Sequence, residues 1–268
     1  MSVNLSFNLM KMPAKIDQGM IQYTISPDKI AVNNWIGKQV TIQFEGRINC
    51  IDCGKLTKKS FGQGFCYTCF MSSSNNAPCI IHPELCEAHL GKGRDPEWER
   101  LYHNQAHIVY LANSGGLKVG VTRNDQIPTR WIDQGADSAI CFARTPYRKL
   151  AGDIEVFLKE HLSDKTNWRK MLANVPDENV NLIESKEEMA NILPFQVQEF
   201  FLEDNSILDL HYPILKNPSK INSFGLEKKP RFSGILSGIK GQYWIFESGE
   251  VINIRTHQGY FVELEIED

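Results

Sequence analysis

Two pairs of cysteines carry the clearest chemical signal in this sequence. Two residues separate the thiols within each pair and twelve residues separate the pairs, which are Cys50 with Cys53 and Cys66 with Cys69. Cysteine pairs on tight turns place four thiolates near the corners of a tetrahedron, and this suits Zn²⁺ because the ion accepts soft sulfur ligands. A thioredoxin-like redox motif needs one such pair, not two. The spacing therefore predicts a structural zinc ribbon.

A second group of thiols and imidazoles follows within 29 residues. Its six members are Cys79, His82, Cys86, His89, His103 and His107. No four of them have a recognised zinc-ligand spacing. Two interpretations stay open: a second zinc site, for which Cys79, Cys86 and His89 are the best three ligands, or two buried thiols beside exposed histidines.

The distribution of charge bears on the class of partner. The chain carries a formal net charge of -3 over 268 residues. Residues 176–204 contain eight acidic residues against Lys186, so the rest of the chain carries +4. A local basic surface that contacts DNA or RNA is therefore compatible with the acidic total. An evenly solvated surface without an anionic partner is an equally open interpretation.

Apolar residues are spread along the chain and make up 42% of it, enough to fill a sizeable core. No early segment has the order of a signal peptide, and no run approaches the roughly 18 apolar residues of a membrane helix. We therefore expect a cytoplasmic protein with no membrane partner.

Periodicity and turn signals predict an α+β protein in four segments. The segments are 1–106, strands plus a cysteine-rich zinc-binding region; 107–175, a compact core; 176–230, a helix and loop connection; and 231–268, a β-meander that packs with the N-terminal strands.

The core segment has the order β-β-α-β-α. Strands are predicted at about 107–112, 117–121 and 138–144 from alternating apolar residues and glycine turns. Helices are predicted at about 127–136 and 146–162, with proline in the first turn of each.

This core resembles the GIY-YIG nuclease superfamily, a small three-stranded antiparallel sheet with helices. Its two signature strands are matched by Ile108-Val109-Tyr110 and by Lys118-Val119-Gly120. By this resemblance the family's helical arginine falls on Arg130 and its metal-binding glutamate on Glu155. Asn167 occupies a later position where the family often has asparagine. The expected architecture is a GIY-YIG-like module flanked by a zinc ribbon and terminal strands.

The resemblance implies metal-dependent hydrolysis of phosphodiesters. Such a reaction needs an activated water, a cation against the charge that develops at phosphorus, and a metal at the leaving oxygen. Glu155 would hold Mg²⁺ or Mn²⁺ as one of few protein ligands, and Arg130 would grip phosphate. Tyr110 would orient or deprotonate the water, and the second role needs a nearby positive charge because a phenol has a pKa of about 10.

Two positions depart from the GIY-YIG pattern. Lys118 replaces the second signature tyrosine, and Gln134 replaces the histidine that often follows the arginine by four residues. Lys118 retains a route to catalysis, because a lysine there can lower the pKa of Tyr110 or contact phosphate.

A wider resemblance covers most of the chain. The stretches "PELC", "RDPEW", "HIVYLANS" and "LKVGVTR" occur in this order, and together they resemble a bacterial family of unknown function that carries this core between zinc-binding and β segments. That resemblance also implies cysteine near Gly93 and His103, from which this chain departs.

Two classes of function follow. The first is a zinc-containing, metal-dependent phosphodiesterase or endonuclease that acts on nucleic acid. The second is a non-catalytic zinc protein that uses a decayed GIY-YIG core to dock nucleic acid or protein. The joint presence of Tyr110, Arg130 and Glu155 favours the first.

Overall fold

The computed structural model describes residues 2–25, 28–162, 167–173 and 177–267. It is a mixed α+β structure with several sheets, as the sequence predicts for the fold class. Contacts divide the chain into two compact units, Met1–Met71 with His211–Asp268, and Ser72–Leu210. Residues 72–106 and 177–210 group with the core segment in this division, and the C-terminal strands group with the N-terminal ones.

The described strands fall in both units. They are β1 Val3–Asn8, β2 Ala14–Asp17, β3 Met20–Ile25, β4 Ile30–Ala31, β5 Gln39–Asn49, β6 Leu56–Thr57, β7 His107–Asn113, β8 Leu117–Arg123, β9 Ser138–Thr145, β10 Ile207–Asp209, β11 Asn222–Ser223, β12 Arg231–Lys240, β13 Tyr243–Phe246, β14 Glu250–Asn253 and β15 Tyr260–Glu267.

The described α-helices are short apart from one that packs on the sheet of the second unit. They are α1 Tyr67–Ser72, α2 Pro96–His103, α3 Thr129–Asp133, α4 Arg148–His161, α5 Trp168–Leu172 and α6 Leu182–Ile192. Over the described residues, none of the helices has the length and apolar character needed to cross a bilayer.

The first unit contains an eight-stranded sheet in the order β1-β15-β5-β12-β13-β14-β11, with β6 paired to β5. Strand β15 alternates buried apolar side chains with half-buried or exposed ones, three of which are glutamates, so one face packs on the core and the other is closer to solvent. It lies between β1 and β5, with Leu264 opposite both Leu5 and Ile42. Strands from both ends of the chain therefore share one sheet.

The second unit contains a four-stranded antiparallel sheet in the order β10-β9-β7-β8. The elements β7, β8, α3, β9 and α4 follow in the order predicted for residues 107–162. Helix α4 begins at Arg148 after the N-cap Tyr147, so Pro146 precedes the helix and does not lie in its first turn. Strand β10 was predicted as part of a loop connection, and its three residues are too few to give a periodic pattern.

Helix α4 covers one face of this sheet. Ile154 and Leu158 lie four residues apart on the helix and pack with Val109, Leu111 and Val119 of the sheet. Because side chains alternate along a strand, Tyr110 projects to the other face. Strand β7 thus contributes core residues to one face and Tyr110 to the opposite one.

Candidate metal centres and the Tyr110 cluster

The first cysteine pair lies where strand β5 ends. Cys50 follows the strand directly and donates its amide to Lys55 O at 2.9 Å, while Gly54 N donates to Cys50 O at 2.9 Å. Gly54 has a φ of +72°, which glycine adopts without the steric penalty of a side chain. This tight turn brings β6 back onto β5 and presents both thiols of the pair.

The second pair lies at the start of helix α1. A reciprocal backbone pairing of Phe61 with Phe65, at 2.9 Å in each direction, closes the turn before Cys66, and α1 carries Cys69. The ligand atoms of all four cysteines lie within 4.8 Å of one another. We call Cys50, Cys53, Cys66 and Cys69 the first cluster.

The geometry of the first cluster is compatible with zinc binding. The sulfurs of Cys53 and Cys66 are 3.9 Å apart, and thiolates held about 2.3 Å from a tetrahedral ion lie roughly 3.8 Å apart. Burial raises the pKa of Cys50, but amide donors from Cys53, Cys66 and Asp52 outweigh it and lower the pKa to about 7. Such donors stabilise the thiolate, the form that binds a metal.

A second group of metal-ligand types lies in the other unit. We call Cys79, Cys86, Glu99 and His103 the second cluster; their ligand atoms lie within 4.8 Å of one another and all four residues are buried. Glu99 and His103 are one turn apart on α2, whose N-terminus is capped by Asp95 through a 3.1 Å hydrogen bond from Trp98 N. The second cluster therefore joins two local cysteines to one helix face.

His89 lies outside the second cluster, although the sequence favoured it as the third ligand. Its ring stacks on Tyr147 with centroids 4.7 Å apart, so the side chain is engaged elsewhere. Glu99 was missed altogether. The spacing Glu99-x-x-x-His103 on an amphipathic helix was the available signal, because residues four apart share a helix face.

The other two candidate histidines also lie outside the second cluster. His82 is exposed and pairs with Glu84 at 3.2 Å. His107 is buried, and its Nδ1 lies 2.7 Å from Gln105 O. Burial lowers the pKa of His107 to about 4, so this imidazole is neutral at physiological pH.

Tyr110 lies on the face of the second unit's sheet opposite to the one that Val109 and Leu111 share with α4. It is fully buried, opposite Gly120 in β8, and a Cβ at Gly120 would lie 2.5 Å from its hydroxyl oxygen. Its ring packs edge-on to Trp131. Gly120 of β8 thus has a physical role, since it leaves room for the phenol.

Arg130 and Gln134 surround the Tyr110 hydroxyl. The positive charge of Arg130 lies close enough to the phenol to oppose the rise in the pKa of Tyr110. In the amide orientation that satisfies all three side chains, Gln134 Nε2 donates to Tyr110 at 2.8 Å and Gln134 Oε1 accepts from Arg130 Nε and Nη2 at 3.2 Å each. Gln134 therefore bridges the phenol and the guanidinium.

Glu155 completes what we call the Tyr110 cluster, which is Tyr110, Arg130, Gln134 and Glu155. Glu155 is 7% exposed and forms a 3.1 Å ion pair with Lys159. Burial raises its pKa, and Glu84 adds to that rise, whereas Lys159 and Arg148 oppose it. The Glu155 carboxylate also raises the pKa of Tyr110, so these two groups lie within electrostatic reach of each other.

The net shift in the pKa of Tyr110 is opposite to the one that the charge of Arg130 alone would produce. Burial raises its pKa more strongly than Arg130 lowers it. The phenol is therefore protonated at neutral pH and acts as a hydrogen-bonding group there.

A family model described as "protein of unknown function (DUF2797)" matches residues 37–262. The chain belongs to this family. The matched range contains the first cluster, the second cluster and the Tyr110 cluster. A search of curated proteins and a search of solved structures give no significant match. The description of DUF2797 names no activity.

Two further predicted site residues of this DUF2797 chain, Lys118 and Asn167, lie on different elements. Lys118 is half-buried opposite Ala112, on the same face of the sheet as Tyr110. Asn167 is exposed and caps α5, accepting hydrogen bonds from Arg169 N at 3.0 Å and Lys170 N at 3.4 Å. Helix capping accounts for this asparagine without a role in catalysis.

Gly152 provides a stability test of how α4 is held. A Cβ at Gly152 would overlap backbone atoms of Pro83 and Glu84 in the loop between Cys79 and Cys86. Gly152→Ala is therefore expected to destabilise the protein by about 1–3 kcal/mol, although alanine favours an exposed helix by about 1 kcal/mol. Urea denaturation measures the difference, with exposed Asp153→Ala on the same helix expected within about 0.5 kcal/mol of wild type. A stabilised Gly152→Ala variant would contradict the close contact.

Proposed function

We propose that this chain is a zinc-containing, metal-dependent phosphodiesterase that acts on nucleic acid through the Tyr110 cluster. The observation that carries the proposal is the grouping of Tyr110, Arg130 and Glu155: Gln134 links the first two by hydrogen bonds, and the third lies close enough to act electrostatically on the phenol. The three residues come from β7, α3 and α4. The resemblance to the GIY-YIG superfamily assigns catalytic roles to the same three positions.

Glu155 is the group that would hold Mg²⁺ or Mn²⁺. The donor chemistry fits, because Glu155 is a nearly buried carboxylate with a second acidic side chain, Glu84, close enough to raise its pKa. Mg²⁺ keeps several waters and takes one or two carboxylates. When bound, the ion supplies charge stabilisation for the phosphate and its leaving oxygen. Lys159, 3.1 Å from Glu155, balances this carboxylate when no cation is near.

Arg130 would bind the phosphate. Arg130 is half-buried, and its guanidinium is oriented by hydrogen bonds to Gln134. A preoriented guanidinium stabilises charge in a transition state without the cost of reorganising solvent. Tyr110, which stays protonated and has no exposed surface, would orient Arg130 through Gln134 and would not remove a proton. This assigns Tyr110 a positioning role.

Nucleic acid is the substrate class we propose, because phosphodiesters in polymers present the anionic groups that Arg130 and Lys118 can contact. The +4 balance outside residues 176–204 is compatible with such a partner. The first cluster would stabilise the fold of its own unit as a four-cysteine zinc site.

One observation favours a second candidate function. Tyr110 has no exposed surface and Arg130 is already hydrogen-bonded to Gln134. Both side chains could therefore be structural, in a module that docks nucleic acid or protein without cutting it. The absence of cleavage together with measurable binding would favour this function.

Cleavage assays distinguish the phosphodiesterase from the non-catalytic docking module. Zinc-loaded protein is incubated with single-stranded, double-stranded and branched DNA and RNA, with Mg²⁺ or Mn²⁺ either added or omitted. We expect cleavage only with the added cation, and a fall of roughly 10²-fold in kcat for Arg130→Ala. Arg144→Ala, at an exposed position of β9, is the matched control and should cut at the wild-type rate. Wild-type protein that cuts none of these substrates would overturn the proposal.

A further inference from the structure

We propose that the second cluster is a metal site in which Cys79, Cys86, His103 and Glu99 bind one Zn²⁺ ion. This site is separate from the phosphodiesterase activity proposed above and does not depend on it. Its ligand set is two sulfurs, one imidazole nitrogen and one carboxylate oxygen, which are all ligand types that Zn²⁺ accepts.

Distances within the second cluster match those between ligands of one ion. His103 Nδ1 lies 3.5 Å from Cys86 Sγ, 3.8 Å from Cys79 Sγ and 3.7 Å from Glu99 Oε2. Zinc bonds of about 2.0–2.3 Å at tetrahedral angles place the ligand atoms roughly 3.3–3.8 Å apart. The imidazole–carboxylate distance is too long for a good hydrogen bond. The three distances are therefore those of side chains arranged around a common centre.

Burial gives a second, independent reason for a cation. The exposed fractions are 5% for Cys79, 1% for Cys86, 2% for Glu99 and 3% for His103. An ionised carboxylate in such a place is costly unless it is paired or binds a metal. Glu99 Oε1 accepts a 2.9 Å hydrogen bond from Arg94 N, which orients the carboxylate and leaves Oε2 directed toward His103. This is the outer hydrogen bond that a metal-binding carboxylate commonly has.

The backbone at Gly93 leaves room for the Glu99 carboxylate. A Cβ at Gly93 would overlap the Glu99 carboxylate, so glycine is the residue that lets the carboxylate occupy this space. Glu99 and His103 then point from one face of α2 toward the two cysteines. A site with four protein ligands has no open position for substrate and is structural in character.

The proposed ion would also fix the loop that carries Glu84. This loop runs between Cys79 and Cys86 and packs closely on α4 at Gly152. Arg148 of α4 donates hydrogen bonds to Cys79 O and Ile80 O at 3.0 Å each. Metal binding at the second cluster would therefore hold the loop against the helix that carries Glu155. On binding, the two thiols lose their protons to solvent.

Metal content and X-ray absorption test this site on the whole chain. Protein purified without chelator is expected to contain two zinc ions per chain, one for each cluster. The X-ray absorption fine structure at the zinc edge should give an average of three sulfur ligands and one nitrogen or oxygen ligand per ion. The first cluster alone would give four sulfur ligands. This wild-type measurement needs no variant and so remains decisive if variants fail to fold.

Variants then identify the ligands. Cys86→Ser and His103→Ala should each lower the zinc content from two ions to one. His89→Ala, whose imidazole stacks on Tyr147 in the same region, is the matched control and should retain both. One zinc with four sulfur ligands in wild type, two zincs retained in both ligand variants, or loss of one zinc in His89→Ala would each overturn the proposed site.

Discussion

Glu155→Gln is expected to reduce metal-dependent cleavage of nucleic acid by roughly 10²–10³-fold, the largest effect we anticipate for any single substitution in the Tyr110 cluster. Glutamine keeps the size of the side chain but removes the negative charge that would hold the divalent cation. Since Glu155 is nearly buried and its pKa is raised by that burial, the neutral amide should be well tolerated by the fold. Single-turnover cleavage rates at saturating Mg²⁺, with circular dichroism of both proteins, measure the two effects.

Asp153→Asn is the matched control for this experiment. Asp153 lies two residues away on α4, is exposed and pairs with Lys149 at 2.8 Å. Its neutralisation removes a carboxylate from the same helix without touching the Tyr110 cluster, so cleavage should be unchanged. Equal losses in both variants would mean that helix stability, not cation binding, governs the rate.

The same residue predicts the direction of a pH dependence. The pKa of Glu155 is raised, so this carboxyl stays protonated to a higher pH than an ordinary glutamate. Only the ionised form holds a cation, and cleavage should therefore increase as pH rises through that raised pKa and be lost below it.

Local patterns predicted more of this structure than distant ones. Apolar periodicity and glycine turns are short-range signals, and they suffice to predict the strands β7, β8 and β9 and the helices α3 and α4. The first cluster can be predicted from the sequence for the same reason, since both cysteine pairs lie on tight turns close in sequence. Strand β10 was missed, because its three residues gain their structure from pairing with β9.

The second cluster shows where sequence reasoning loses information. Cys79 and Cys86 were identified as candidate ligands, but His89 was chosen as their partner because it is near in sequence. The fold instead brings Glu99 and His103 from one face of α2. A nearly buried glutamate is rare enough to signal a special environment, yet its burial cannot be read from the sequence around it.

The Tyr110 cluster has a similar division between what was predicted and what was not. Tyr110, Arg130 and Glu155 were chosen from a resemblance, and their electrostatic grouping appears only in three dimensions. Gln134 was noted as a departure from a histidine, and its amide is what connects Arg130 to the phenol. Asn167, in contrast, is used to cap α5, so its match to a family position has a purely local explanation.

Cys66→Ser is expected to remove the zinc of the first cluster and to unfold the turns that the cluster organises. The reason is that formation of a structural zinc site is coupled to local folding, with apparent binding free energies of about 10–16 kcal/mol in small zinc domains. Residues 50–71 include short turns, the two-residue strand β6 and the first five residues of the six-residue helix α1, and these elements are too short to be stable alone. Strand β5 should persist, because it is paired on both sides by β12 and β15.

Hydrogen exchange by mass spectrometry, together with zinc content from native mass spectrometry, measures this outcome. Peptides from residues 50–71 should lose protection in Cys66→Ser, while peptides from β5 keep it. Cys141→Ser is the matched control, since Cys141 is a half-buried cysteine of β9 outside both clusters, and its zinc content and exchange should match wild type. Unchanged zinc content in Cys66→Ser would show that the four cysteines do not act as one site. A loss of zinc without any loss of protection would mean that residues 50–71 fold without the ion.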